Sequence, residues 1–93
     1  MSLSSAAKLR SLLKSMEQDL RLSDLTEVQR DMLYACRLIA EESCEVSLAR
    51  LQTHELTAGV PRATYFRALS GLVELRRLVR VGSERSGLYR LSD

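Results

Sequence analysis

The chain is poor in the residues that build most catalytic and metal centres. It has one histidine (His54), two cysteines (Cys36 and Cys44), one proline (Pro61) and four glycines in 93 residues. One His and two Cys do not supply the four-donor set that zinc takes. On a helix the separation of Cys36 and Cys44 corresponds to about 12 Å of rise. That is beyond disulfide reach, so two reduced thiols are expected. No nucleophile–base pairing surrounds His54, and no glycine-rich loop cradles a phosphate. The expectation is a protein that is not an enzyme and takes no cofactor and no metal. No apolar run approaches the roughly 18 residues of a membrane span. The N-terminus also lacks a basic start followed by an apolar stretch. A cytoplasmic protein with no membrane partner is the reading. Scarce Gly and Pro beside 45% hydrophobic and 28% charged residues point to a folded, mostly helical domain rather than a disordered one. The length suits one small domain and is too short for a Rossmann, barrel or kinase-sized enzyme. A DNA-reading domain joined to a ligand-sensing one does not fit either, so no small-molecule ligand is expected.

What is present is a run of periodic apolar stripes. Residues 4–21 read as a helix, with Ala6, Leu9, Leu13, Met16 and Leu20 spaced 3, 4, 3 and 4. This heptad seam, with Ser4 or Ser5 as cap, is a candidate dimer interface; Leu12 widens it. Two heptads are too few for an isolated coiled coil, so the seam must pack on the rest of the chain, on a second copy, or on both. Ser23-Asp24 breaks the pattern. The chain therefore divides into an arm at 1–24 and a domain at 25–93. Residues 26–43 read as a second helix, with Thr26 as N-cap and Gln29 at capping-box spacing. Its stripe is Val28, Met32, Ala35, Cys36 and Ile39. Cys36 sits on that apolar face and reads as core. Arg30, Asp31, Arg37, Glu41 and Glu42 fall on the solvated side.

Glu45-Val46 is a short extended segment, and Ser47 caps a third helix from Leu48 that carries Leu51, His54 and Leu56. His54 reads as a surface or cap residue. Gly59 suits the left-handed conformation of a tight interhelical turn. Pro61 suits the first position of a fourth helix at 61–75, with Tyr65, Leu69 and Leu72 facing inward. Leu78-Val79-Arg80-Val81 and Leu88-Tyr89-Arg90-Leu91 favour β structure. They flank a loop at 82–87 with Gly at both ends. Helix, turn, helix and hairpin in that order make a winged helix-turn-helix. The fold class is mainly α with a small β-hairpin, preceded by an extra N-terminal helix. The start of the fourth helix, Arg62, Ala63, Thr64 and Arg67, carries the short and basic residues that reach a major groove. Phe66 is half-exposed beside the inward Tyr65; it either touches a thymine methyl or packs under the wing.

Gly59-Val60-Pro61-Arg62-Ala63-Thr64-Tyr65-Phe66-Arg67-Ala68-Leu69, then Leu72, Leu78-Val79-Arg80 and Leu88-Tyr89-Arg90-Leu91, resemble the DNA-binding domain of isocitrate-lyase-regulator (IclR) type transcriptional regulators. The resemblance covers residues 27–92. It implies that the helix at 61–75 enters the major groove of double-stranded DNA and that the wing at 82–87 touches backbone or minor groove. Arg62, Thr64 and Arg67 would then be groove or phosphate contacts, and Arg85 a wing contact. The resemblance does not extend to that family's effector domain, so effector sensing is not implied. Two features depart from the family: Arg77 stands where Gly is usual, and Ser47–Gly59 is about three residues longer than the usual spacing.

Charge by segment adds to this. The net charge of +2 divides into +1 over 1–24, an acidic second helix of net −3 over 25–46, and a C-terminal half of net +4 over 47–93. Twelve of the fourteen basic residues are Arg, the fork-shaped donor suited to phosphate and guanine edges. Arg62, Arg67, Arg76, Arg77, Arg80, Arg85 and Arg90 fall on the fourth helix and hairpin, where phosphate neutralisation needs them. The expected function is a sequence-specific, dimeric, DNA-binding transcriptional regulator. Its DNA contacts would be Arg62, Ala63, Thr64, Phe66, Arg67, Arg80 and Arg85. The alternative is a winged-helix docking module in a larger protein complex, using the acidic second helix.

Overall fold

The apolar stripes of the sequence become a winged helix-turn-helix with one helix standing apart from its core. The computed structural model describes residues 2–82 and 86–92. Helix α1 spans Leu3–Asp19, α2 Glu27–Ala40, strand β1 Val46–Ser47, α3 Leu48–Thr53, α4 Arg62–Glu74, β2 Leu78–Val81 and β3 Leu88–Leu91. None of the described helices is long and apolar enough to cross a membrane.

Local chemistry sets most of the boundaries. The capping box at α2 is complete: Thr26 Oγ1 accepts from the Gln29 N–H and Gln29 Oε1 from the Thr26 N–H, both at 3.1 Å. Ser47 Oγ caps α3 by accepting from the Arg50 N–H. The cap of α1 is Ser2 rather than Ser4 or Ser5, and the helix ends at Asp19 rather than 21. Its end is a Schellman turn. Arg21, at φ 60°, donates its N–H to the Gln18 carbonyl, and Leu22 donates to Glu17. Helix α4 ends the same way, with Arg76 at φ 60° and N–H groups of Arg76 and Arg77 on the Val73 and Leu72 carbonyls. The residue in the left-handed conformation is thus Arg76, one before Arg77.

Three expectations need correction. Helix α2 stops at Ala40, not 43; beyond it Ser43 Oγ donates to the Glu45 carbonyl and turns the chain toward β1. Pro61 is the N-cap of α4 and not its first residue. His54 and Leu56 lie outside α3, because the backbone of His54 is extended (ψ 142°) and its Nδ1 accepts from the Leu56 N–H. The additional residues before Gly59 form a turn, with N–H groups of Thr57 and Ala58 on the His54 carbonyl. Buried Thr57 holds this turn to α3 by donating its hydroxyl to the Leu51 carbonyl. Gly59, at φ 88°, makes the turn into α4.

The sheet has three strands in the order β1-β3-β2, all antiparallel, so the expected hairpin gains Val46–Ser47 on the far side of β3. Leu78 pairs with Leu91 and Arg80 with Tyr89. Strand alternation puts these four on one face and Val79, Val81, Leu88 and Arg90 on the other. The first face covers the core. Met32, Ala35, Cys36 and Ile39 of α2 meet Leu51 of α3, Tyr65, Leu69 and Leu72 of α4, and Val46, Leu78 and Tyr89 of the sheet. Helix α4 crosses α2 closely at Gly71, where a Cβ would come within 2.6 Å of the Gln29 amide nitrogen.

Helix α1 contributes no apolar residue to that core. Its one buried side chain is a carboxylate, Glu17, which accepts a 2.6 Å hydrogen bond from Tyr34 Oη and faces Arg30 Nε at 3.8 Å. Arg30 is therefore not a solvated residue. Its Nη1 also donates to the carbonyls of Leu25 (2.6 Å) and Leu22 (3.4 Å) in the α1–α2 connection. Beyond this clamp the helix extends from the body, and the molecule measures 46 × 27 × 24 Å.

Candidate nucleic-acid interface

Helix α4 sits on the body by Tyr65, Ala68, Leu69 and Leu72, all buried. At 100° per residue its opposite stripe is Ala63, Arg67, Ser70 and Glu74, all exposed. Thr64 and Gly71 flank that stripe on one side, Phe66 and Arg62 on the other, and Thr64 and Phe66 are half-buried. Thr64 and Arg67 line a shallow cleft with Thr26, Val28 and Gln29 at the start of α2. The expected contacts on this helix thus come together on one surface. Ser70 joins them and was not among the expected residues. Its sequence signal is spacing: it lies three residues after Arg67 and seven after Ala63, on the same helical row.

The first turn of α4 has two further properties. Among the described residues no side chain caps it, which leaves its leading N–H groups without a side-chain cap at the helix's positive end. Above it the Arg62 guanidinium stacks on the Phe66 ring, 5.3 Å from the centroid, and that ring meets Tyr65 edge-on at 5.3 Å. Phe66 thus packs against the core and beneath Arg62. The stacking holds the guanidinium at the helix start and leaves its N–H edges available. Neither Arg62 nor Arg67 makes an ion pair among the described residues.

The remaining arginines divide. Arg80 is exposed at β2, on the sheet face that α4 also packs against. Arg85 lies outside the described residues. Arg90 is on the opposite face of the sheet and faces Glu45 at 4.0 Å. The Arg77 guanidinium donates to the Arg21 carbonyl at 2.7 Å, which turns it toward α1. The basic surface around α4 is therefore narrower than the count of arginines in the C-terminal half.

Of the expected dimer seam, Ala6, Leu9, Met16 and Leu20 are exposed and Leu13 is half-buried. Cys36 is buried in the core and burial pushes its thiol up to about 12, whereas Cys44 is exposed. No group of three or more metal-ligating side chains occurs among the described residues. Comparison with family models, curated proteins and solved structures finds no match for this chain.

Proposed function

We propose that this chain binds double-stranded DNA in the cytoplasm and acts as a transcriptional regulator. Helix α4 would enter the major groove and the wing would follow the backbone. The observation that carries this reading is the exposed side of α4. Arg62, Ala63, Arg67 and Ser70 form a surface with no carboxylate before Glu74, at the uncapped start of the helix. Arg67, on the outermost row, is the base-reading candidate, able to bond O6 and N7 of a guanine. Small Ala63 lets the helix approach a base edge, and Ser70 reaches a base or phosphate one turn on. Arg62, held by Phe66, and the free N–H groups of the first turn suit a phosphate. The resemblance to IclR-type regulators supports the same docking. Arg80 would add a backbone contact from the hairpin.

Fluorescence anisotropy on a random duplex at low salt tests the reading. Non-specific affinity of DNA-binding proteins lies near 10⁻⁴–10⁻⁶ M at physiological salt. Failure to bind below about 100 μM at low salt would favour the docking-module alternative. Selection from a random DNA pool then gives the site. On that site Arg67→Ala should cost about 1–3 kcal/mol and relax one base position. Unchanged affinity and base preference in that variant would remove α4 from the interface.

A further inference from the structure

We infer that α1 is the two-fold interface of a homodimer in which the α1 helices of two copies pack antiparallel. Leu9 of one copy then meets Leu20 of the other, and Leu13 meets Met16. Three observations lead there. First, Leu9 (54%), Leu12 (57%), Met16 (49%) and Leu20 (59%) stay largely exposed on one side of a helix that contributes nothing apolar to the core. Contiguous exposed apolar surface of this kind marks an interaction site. The helix is nevertheless held in one orientation, by Glu17 against Tyr34 and Arg30 and by the Arg77 bond to the Arg21 carbonyl. A merely loose arm would need neither clamp.

Second, the charges of α1 run against its own dipole. Its first turn has no acidic residue and its last turn no basic one; Lys8, Arg10 and Lys14 precede Glu17 and Asp19. In isolation this order is unfavourable, since anions stabilise a helix N-terminus and cations its C-terminus. An antiparallel copy relieves this: with Leu9 against Leu20, Lys8 of each helix lies on the same flank as Asp19 of the other, and the two dipoles oppose, while Glu17 stays in its own copy's clamp. A parallel pair would place Lys8, Arg10 and Lys14 beside their own copies. The charge order therefore selects both the occupant, a second copy of this chain, and its direction.

Third, the apolar stripe runs on into a groove. Leu20 is its lip, and a space of about 310 Å³ beside it has an apolar floor of Leu22, Leu33, Tyr34 and Leu91 with Arg37, Arg77 and Ser92 at its margin. With Leu9 against Leu20, the first turn of the second copy's α1 passes over this groove. Each copy presents the same surface, so the contact closes on itself and does not propagate.

The dimer is tested without DNA, so its failure and that of the DNA-binding reading are separable. The full chain in sedimentation equilibrium should have twice the 10.5 kDa chain mass at micromolar concentration. Leu9→Glu with Met16→Glu should raise the dissociation constant by roughly 100-fold, because two carboxylates then enter an apolar contact. Circular dichroism of that variant should match the parent. If the variant unfolds, Lys8→Glu with Arg10→Glu replaces it, and a weakening of roughly 10-fold is expected from like charges brought together. Direction is read on a Cys44→Ser background: Leu9→Cys with Leu20→Cys should cross-link under mild oxidant through a 9-to-20 disulfide. A monomeric parent, a dimer indifferent to these charges, or cross-linking of Leu9→Cys to itself would each overturn the inference.

Discussion

Replacing Tyr34 by Phe removes one oxygen atom, and the structure gives that atom a specific load. Tyr34 Oη donates at 2.6 Å to Glu17 Oε2, and Glu17 is only 7% exposed. A hydrogen bond to a charged group contributes about 1.5–3 kcal/mol net, and a carboxylate left short of partners away from water adds a desolvation cost. Among the described residues the carboxylate in Tyr34→Phe keeps only Arg30, at 3.8 Å, outside ordinary hydrogen-bond distance. The expected loss is about 2 kcal/mol in urea unfolding, or roughly 10 °C in Tm for a domain of this size. The cycle of Tyr34→Phe with Glu17→Gln should show a coupling of at least about 1 kcal/mol. Alkaline pH gives a second readout. Burial, and then hydrogen bonding to Glu17, push the Tyr34 phenol up to about 12. Its ordinary value is near 10. The folded state therefore holds this proton where the unfolded state has lost it. The contribution is complete below pH 10 and is lost as pH rises from about 10 to 12, so the parent should lose stability there more steeply than Tyr34→Phe. A stability change below about 0.5 kcal/mol, additive single variants, or matching alkaline slopes would refute the clamp.

Three further perturbations are expected to behave as follows. Tyr65 Oη is buried without a hydrogen-bond partner among the described residues, so Tyr65→Phe should be neutral or stabilising by up to about 1.5 kcal/mol in chemical denaturation; a loss above that size would reveal a partner. Arg21 occupies the left-handed region at φ 60°, and Arg21→Gly should raise stability by about 0.5–1 kcal/mol once glycine's greater unfolded-state entropy is set against the relieved strain; a lower Tm would refute it. Burial leaves the Cys36 thiol protonated at neutral pH while Cys44 is exposed, so native protein should take one alkylating label, at Cys44, and denatured protein two; native labelling of Cys36 in mass spectrometry would contradict the packing.

The elements legible in the sequence were those whose signals are local. Thr26 with Gln29, Gly59, and the β-favouring runs at 78–81 and 88–91 fixed their own geometry within a few residues, and the structure keeps all of them. The α2 stripe was legible because burial follows helical period, and Met32, Ala35, Cys36 and Ile39 are indeed buried. Errors came where partners distant in sequence decide the outcome. Arg30 looked solvated because the carboxylate and carbonyls that draw it inward belong to α1 and its connection. Arg77 and Arg90 looked like part of one basic surface, but the Arg21 carbonyl and Glu45 take them elsewhere. Val46–Ser47 became a strand only because β3 offers a free edge. On α4 the row Ala63, Arg67, Ser70 was available from spacing alone. Ser70 lies on that row, opposite the inward Tyr65, Leu69 and Leu72, so its place is legible although a serine by itself signals no contact.

These non-local contacts bear on how one end of the molecule informs the other. The exposed seam of α1 and the exposed row of α4 share no residue and lie in different parts of the chain. Two polar contacts nevertheless relate them: Glu17 joins α1 to α2 through Tyr34, and Arg77, three residues past the end of α4, joins the α1 exit through the Arg21 carbonyl. Polar contacts of defined length fix an angle more sharply than an apolar face, which tolerates sliding. A dimer formed on α1 would therefore set the separation and direction of two α4 helices. Reading two half-sites on one duplex requires that fixed relation, because the half-sites must fall about one helical turn, or a multiple of it, apart. On this argument the carboxylate is buried at Glu17 for direction more than for stability: an apolar residue there could pack α1 onto α2, but with less control of where α1 points.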